Sequence, residues 1–157
     1  MKTRLSLRGR GVQLLSQREH SRQELRRKLL QHLRTPDAPL PDDAEQQVDE
    51  VLAWLHDKGY FSEQRFVESR VHVRAARYGN LRIRQELAQH GVALDADTAQ
   101  RLKDSELARA HEVWARKFGV AAADAAVRAK QVRFLASRGF SAEVIRRVVK
   151  GDLDEAA

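Results

Sequence analysis

The sequence predicts an all-α protein, an elongated array of three tandem three-helix repeats, and three observations carry that prediction. All three prolines fall between Thr35 and Asp42, so every other stretch is free of the residue that removes a helix donor and clashes with the preceding turn. The remainder is rich in Ala, Leu, Arg, Glu and Gln, with apolar residues three and four apart, which is the helical period. Glycines recur where these periodic runs stop, and the segments leading to them echo one another.

The elements follow in order. Ser21-Arg22-Gln23-Glu24 has capping-box spacing, the serine accepting one terminal amide and the glutamate reaching back to another, so a helix starts there. Leu25, Leu29 and Leu33 share its apolar face with Leu30 beside them, leaving Arg22, Arg26 and Arg27 outside the stripe. After the proline-rich loop 35–42, a second start lies between Asp42 and Glu45, and Val48, Val51, Leu52 and Leu55 form the next stripe. That helix ends at Gly59, where Tyr60 and Phe61 are placed to fold back on the last turn, and Ser62 caps a helix expected to run to Tyr78. Further helices are expected over Leu81 to His90, Ala96 to Lys103, Glu106 to Phe118, Asp124 to Arg138 and Ala142 to Lys150, with Gly79, Gly91, Gly119, Gly139 and Gly151 at their ends.

The echo itself reads leucine, three residues, glycine, apolar at Leu55 to Tyr60, Leu87 to Val92 and Leu135 to Phe140, and Glu24-Leu25 is matched by Glu86-Leu87. It suggests degenerate copies of one three-helix unit. The expected domains are 1–59, with a basic N-terminal segment and the loop 35–42; 60–104; and 105–157, with a short acidic tail.

Composition excludes several classes of function. No cysteine is present, which removes disulfides, thiolate metal sites and cysteine nucleophiles together and fits a reducing compartment. No apolar run follows the basic start and none is long enough for a membrane span, so a cytoplasmic location is expected. Lys and Arg number 29 against 22 Asp and Glu, a formal charge of +7. That balance favours acidic partners. The six histidines include no pair three or four apart, so no metal is expected. Gly9-Arg10-Gly11 lacks the companions of a phosphate loop, and the carboxylates gather at helix starts, where the helix dipole accounts for them. No catalytic residue and no cofactor are predicted.

The sharpest feature lies after Ser62. Projected at 100° per residue, Arg70, Arg74 and Arg77 form a narrow stripe flanked by Phe66 and Val73 on one side and Val67, Val71 and Tyr78 on the other. Either their stems lie over a core edge and pair with acids on neighbouring helices, or they line a groove that Arg82 and Arg84 extend. Arg26 and Arg27 beside Lys28, Arg133 and Arg138 beside Lys130, and Arg146, Arg147 and Lys150 spread positive charge over the chain. Trp114 is in register with Leu107, His111 and Phe118, as a core residue would be.

Arg18-Glu19-His20-Ser21, Glu24-Leu25, Lys28-Leu29, Leu55 to Phe61, Arg65-Phe66 and the run from Gly79 through Arg82-Ile83 and Glu86-Leu87 to Gly91 resemble the RecX family of RecA regulators. The resemblance extends from about Arg10 to Lys150, with Ser62-Glu63 where that family commonly has paired acids. It implies an elongated protein of three-helix repeats that docks in the groove of the RecA filament on single-stranded DNA, as a monomer, and inhibits strand exchange, ATP hydrolysis and coprotease activity in DNA repair. Arg70, Arg74, Arg77, Arg82 and Arg84 are the candidate contacts, with Arg26, Arg27, Arg133 and Arg138 in support. The alternative is a basic helical protein that binds nucleic acid directly, as a repressor or an architectural protein.

Overall fold

The computed structural model describes residues 4–151, so the acidic tail expected after Gly151 lies outside the described residues. Among these residues there are eight helices and no strand: α1 Leu7–Gln17, α2 Arg22–Leu33, α3 Ala44–Asp57, α4 Glu63–Ala75, α5 Asn80–Gln89, α6 Ala96–Lys117, α7 Ala125–Ser137 and α8 Ala142–Lys150. They fall into two compact units. One gathers the residues up to Ser69 with His90–Val92; the other gathers Arg70–Gln89 with the residues from Ala93 onward.

The first unit is built on α1, α2 and α3 around Leu14, Leu25, Leu29, Val48, Leu52 and Leu55, all buried. Helix α1 carries no apolar signal strong enough to locate it in the sequence, because Gly9 and Gly11 weaken its propensity. Gly11 is there for packing: a Cβ at this position would stand 2.6 Å from Leu55 Cδ1. Ser21 caps α2 as expected, its hydroxyl accepting from the Glu24 amide at 3.2 Å and bonding His90 Nδ1 at 2.9 Å. The reciprocal half of the capping box is replaced, since the Glu24 carboxylate instead takes two hydrogen bonds from Arg18, at 3.0 and 2.5 Å.

His20 is buried beside this pair. Its Nδ1 lies 2.9 Å from the Arg18 carbonyl, which only accepts, so Nδ1 carries the proton and Nε2 is left to accept from Lys28 Nζ at 3.1 Å. Burial, reinforced by the charges of Arg18 and Lys28 and opposed by the bond to the Arg18 carbonyl, lowers the imidazole pKa and favours this neutral form.

The glycine turns have a common geometry. At the end of α3 the Tyr60 amide donates to the Leu55 carbonyl at 2.9 Å and the Gly59 amide to that of His56 at 3.0 Å. After α7, Phe140 donates to Leu135 at 3.3 Å and Gly139 to Ala136 at 3.0 Å. This double closure requires a left-handed residue, and Gly59 and Gly139 have φ of 78° and 86°. Phe140, directly after Gly139, turns into the core, whereas after Gly59 Tyr60 stays exposed and the next residue, Phe61, is the buried one.

In the second unit, Ala110, Leu135, Phe140, Ile145, Val148 and Val149 form the main core, with Trp114 packed against it as a core residue. The indole donates to Gln131 Oε1 at 3.0 Å, and the buried Gln131 donates in turn to the Val120 carbonyl. Two expectations are corrected here. The helices expected over 96–103 and 106–118 are one, α6. Asp104-Ser105 resemble a cap but bring neither glycine nor proline, and Leu102 and Glu106 on either side are both buried. Helix α4 ends at Ala75, not Tyr78.

Glu24 offers a test of the first unit. Burial of its carboxyl opposes ionisation, but the hydrogen bonds and charge of Arg18, with His20 and Lys28, hold its pKa down at about 2. A lowered carboxylate pKa contributes stability that is complete above the unfolded value near 4.5 and is lost as pH falls toward 2. Arg18 is 44% exposed, so solvent screening reduces the contribution to about 1–2 kcal/mol. In urea unfolding, Glu24→Gln is expected to be less stable than the parent by that amount at pH 7, and the difference should shrink steadily between pH 4.5 and 2.

Candidate functional site

Helix α4 ends within the predicted arginine stripe, after Arg74 and before Arg77, and a four-residue link, Ala76 to Gly79, connects it to α5. Arg77 and Tyr78 stand on that link, and its shape is set from beneath by Arg109 of α6. The Arg109 guanidinium donates to the carbonyls of Ala75 at 3.3 Å, Tyr78 at 2.9 Å and Leu102 at 3.1 Å, to Ser105 Oγ at 3.0 Å, and to Asn80 Oδ1. A planar fork of five donors suits this set of divergent acceptors. Burial lowers the Arg109 pKa, and the charge of Glu106, one turn away, acts against that. The buried Glu106 accepts from the Asn80 amide at 2.8 Å and from Ser141 Oγ at 2.9 Å, fixing the starts of α5 and α8 together.

The link is also held from the side. The Gly79 amide donates to the Arg138 carbonyl at 2.8 Å, and the Leu81 amide to that of Gly139 at 3.1 Å. A Cβ on Gly79 would collide with the Gly139 carbonyl, and one on Gly139 would stand 2.5 Å from Arg82 Cβ. Gly79 lies between helices as expected, but as a close-approach glycine; its φ is not positive, unlike those of Gly91, Gly119, Gly139 and Gly151.

This crossing brings arginines from separate helices onto one ring. Arg82 lies 4.1 Å from the Tyr78 centroid, Arg138 at 5.7 Å and Arg74 at 5.9 Å. Next to it, Arg138 and Lys117 lie 5.1 and 5.4 Å from the centroid of Phe134. Arg77, Arg116, Lys117, Phe134 and Arg138 line a recess of about 230 Å³. The aromatic faces attract cations and hold the guanidinium planes over a patch with few acids. Glu86 is taken by Arg70 and Arg74, at 3.1 and 2.9 Å, and Glu112 reaches Arg116 only at 4.0 Å.

Of the residues singled out in the sequence, Arg74, Arg77, Arg82 and Arg138 meet at this patch. Arg70 is turned to Glu86 with Arg74. Arg84 on α5 and Arg133 on α7 are exposed, and neither lines the recess. Val73, expected beside the stripe, is 58% exposed. Arg26 and Arg27 belong to the first unit, where with Gln23, Leu30, Arg34 and Leu40 they line a groove of about 470 Å³. Arg26 is partnered there by Asp49 at 3.1 Å. Tyr78, Arg116, Lys117 and Phe134 were missed. The signal available for them was an aromatic residue set among arginines near a glycine, in Arg77-Tyr78-Gly79 and in Arg133-Phe134 to Gly139. Among the described residues no three His, Asp or Glu side chains are grouped so as to hold a metal ion, and no helix is long and apolar enough to cross a membrane.

Sequence models for two domains of one family match the chain: RecX, second three-helix domain, over residues 62–96, and RecX, third three-helix domain, over 104–149. The chain is 47% identical over 149 residues to the regulatory protein RecX of Ralstonia nicotianae, covering 94% of this chain and 88% of that protein. It is 46% identical to that of Leptothrix cholodnii over 93% of this chain and 88% of the relative. With that of Herminiimonas arsenicoxydans it shares 46% identity over 95% and 94% of the two chains.

Removing the Arg109 guanidinium leaves the carbonyls of Ala75, Tyr78 and Leu102 without this donor. Arg109→Ala is expected to lose about 3 kcal/mol in urea unfolding, and Arg109→Lys to recover only part of it, since an ammonium cannot serve acceptors so far apart. A parental unfolding midpoint for Arg109→Lys would show that the fork is not what holds the link.

Proposed function

The chain belongs to the RecX family of regulatory proteins, and on that premise we propose that it is a negative modulator of the RecA recombinase. It docks in the groove of the RecA filament on single-stranded DNA and inhibits strand exchange, ATP hydrolysis and coprotease activity. It acts by binding: bridging adjacent RecA subunits hinders entry of duplex DNA or turnover of subunits. The observation that supports this reading best is the patch where Arg77, Arg82, Arg138 and Lys117 are held around Tyr78 and Phe134 with little acid to neutralise them. A filament on DNA offers what such a patch attracts, phosphates and acidic protein surface along one groove.

Direct binding of nucleic acid is the competing reading, since arginine and aromatic residues also make single-strand platforms. The rings of Tyr78 and Phe134, however, already have guanidinium or ammonium groups within cation–π distance. Bases would have to displace those groups to stack, which favours contacts with phosphate or carboxylate.

Titration into a RecA strand-exchange reaction is expected to lower both exchange and ATP hydrolysis at substoichiometric protein; no effect at equimolar protein would remove the proposal. The triple variant Arg77→Ala, Arg82→Ala, Arg138→Ala should need about tenfold more protein or greater for half inhibition, equivalent to about 1.4 kcal/mol or more of lost contact. Tight binding of a defined duplex without RecA would instead favour the competing reading.

A further inference from the structure

A second surface of the same unit has different chemistry. Helices α7 and α8 leave a groove of about 470 Å³ on the side of α8 marked by Ile145 and Val149. Its lining is largely apolar: Val132 and Ala136 on α7, with Leu81 and Phe140, line it beside those two residues. Leu81 and Val132 are 54% and 37% exposed. The rim is wholly basic. Arg128 stands on α7, and Arg146 and Lys150 on α8, all exposed, with no acid among the lining residues and no ion pair to any of the three among the described residues.

We infer that this groove is a docking site for an acidic, amphipathic helix of a protein partner. The two walls are helical stripes: Arg128, Val132 and Ala136 are four apart, as are Ala142 and Arg146, and Ile145 and Val149. Their ridges form a channel into which a third helix packs. The α7 stripe is about 12 Å long, enough for two turns of an incoming helix. An apolar face at spacing three and four would bury on the floor, and carboxylates flanking it would meet Arg128, Arg146 and Lys150 at the rim. Nucleic acid fits poorly, because a floor of Leu, Val, Ile and Phe side chains offers phosphate no donor. A second copy of this chain is opposed by its charge of +7. The groove is separate from the recess around Phe134, so this inference stands apart from the filament proposal.

Fluorescence anisotropy with labelled designed helices of about 16 residues tests it, leucines at i, i+3, i+4 and i+7 being flanked by glutamates in one peptide and by lysines in the other. The intact protein should bind the acidic peptide with a salt-sensitive Kd and the basic one at least tenfold more weakly. Val132→Glu changes an exposed side chain, with unaltered helicity as the control for folding, and should weaken the acidic peptide at least tenfold. Arg77→Ala, outside the groove, should leave it unchanged. Equal affinity for the two peptides, indifference to Val132→Glu, absence of binding below about 1 mM, or displacement by oligothymidylate would each overturn the inference. Inhibition of strand exchange is read separately and is unaffected by any of these outcomes.

Discussion

Arg109 directs its guanidinium inward, onto backbone carbonyls of the α4–α5 link and of its own helix, and the geometry around Tyr78 depends on that placement. Without the guanidinium, the end of α4 and the carbonyl of Tyr78 have no donor from α6, and nothing else on that helix replaces it. Glu106, a turn earlier, does the same for amides and hydroxyls, serving the starts of α5 and α8 at once. Two charged residues on α6, the half-buried Arg109 and the buried Glu106, thus organise three other helices. Burying them is tolerable because their neighbours satisfy them; no buried side-chain nitrogen or oxygen among the described residues lacks a partner.

Above this support, the close passage of Gly79 along Gly139 brings Arg82 and Arg138 to one ring. Clustered like charges repel, so a patch of this kind persists only where rigid backbone imposes it and aromatic faces offset part of the repulsion. An anionic partner removes the remaining repulsion on binding. This is the electrostatic sense in which the patch suits a regulatory protein that works by attachment.

The first unit uses different residues for a related purpose. Ser21 begins α2 as Ser141 begins α8, and each serine hydroxyl also meets a buried or half-buried group from elsewhere, His90 in one case and Glu106 in the other. The leucine-to-glycine echo visible in the sequence has the same hydrogen bonds at Leu55–Tyr60 and Leu135–Phe140. The repeats are alike in how their helices stop and start, and they differ in which polar pair secures the junction.

Local chemistry by itself determined the all-helical fold, the capping serines and aspartates, the left-handed glycines and the apolar stripes of α2 and α3, because each depends on residues within one or two helical turns. The same local reading failed at α1, where two glycines obscure a helix that only packing against Leu55 explains, and at Asp104-Ser105, where burial on both sides carries α6 through a cap-like pair. Four arginines of the site were legible as a basic pattern. That Arg70 and Arg74 would share Glu86, that Arg77 would leave the helix, and that Arg82 and Arg138 would meet over Tyr78 was decided only by tertiary structure. Residues 56 positions apart, such as Arg82 and Arg138, become neighbours through a backbone crossing, and no periodicity within either segment encodes that distance.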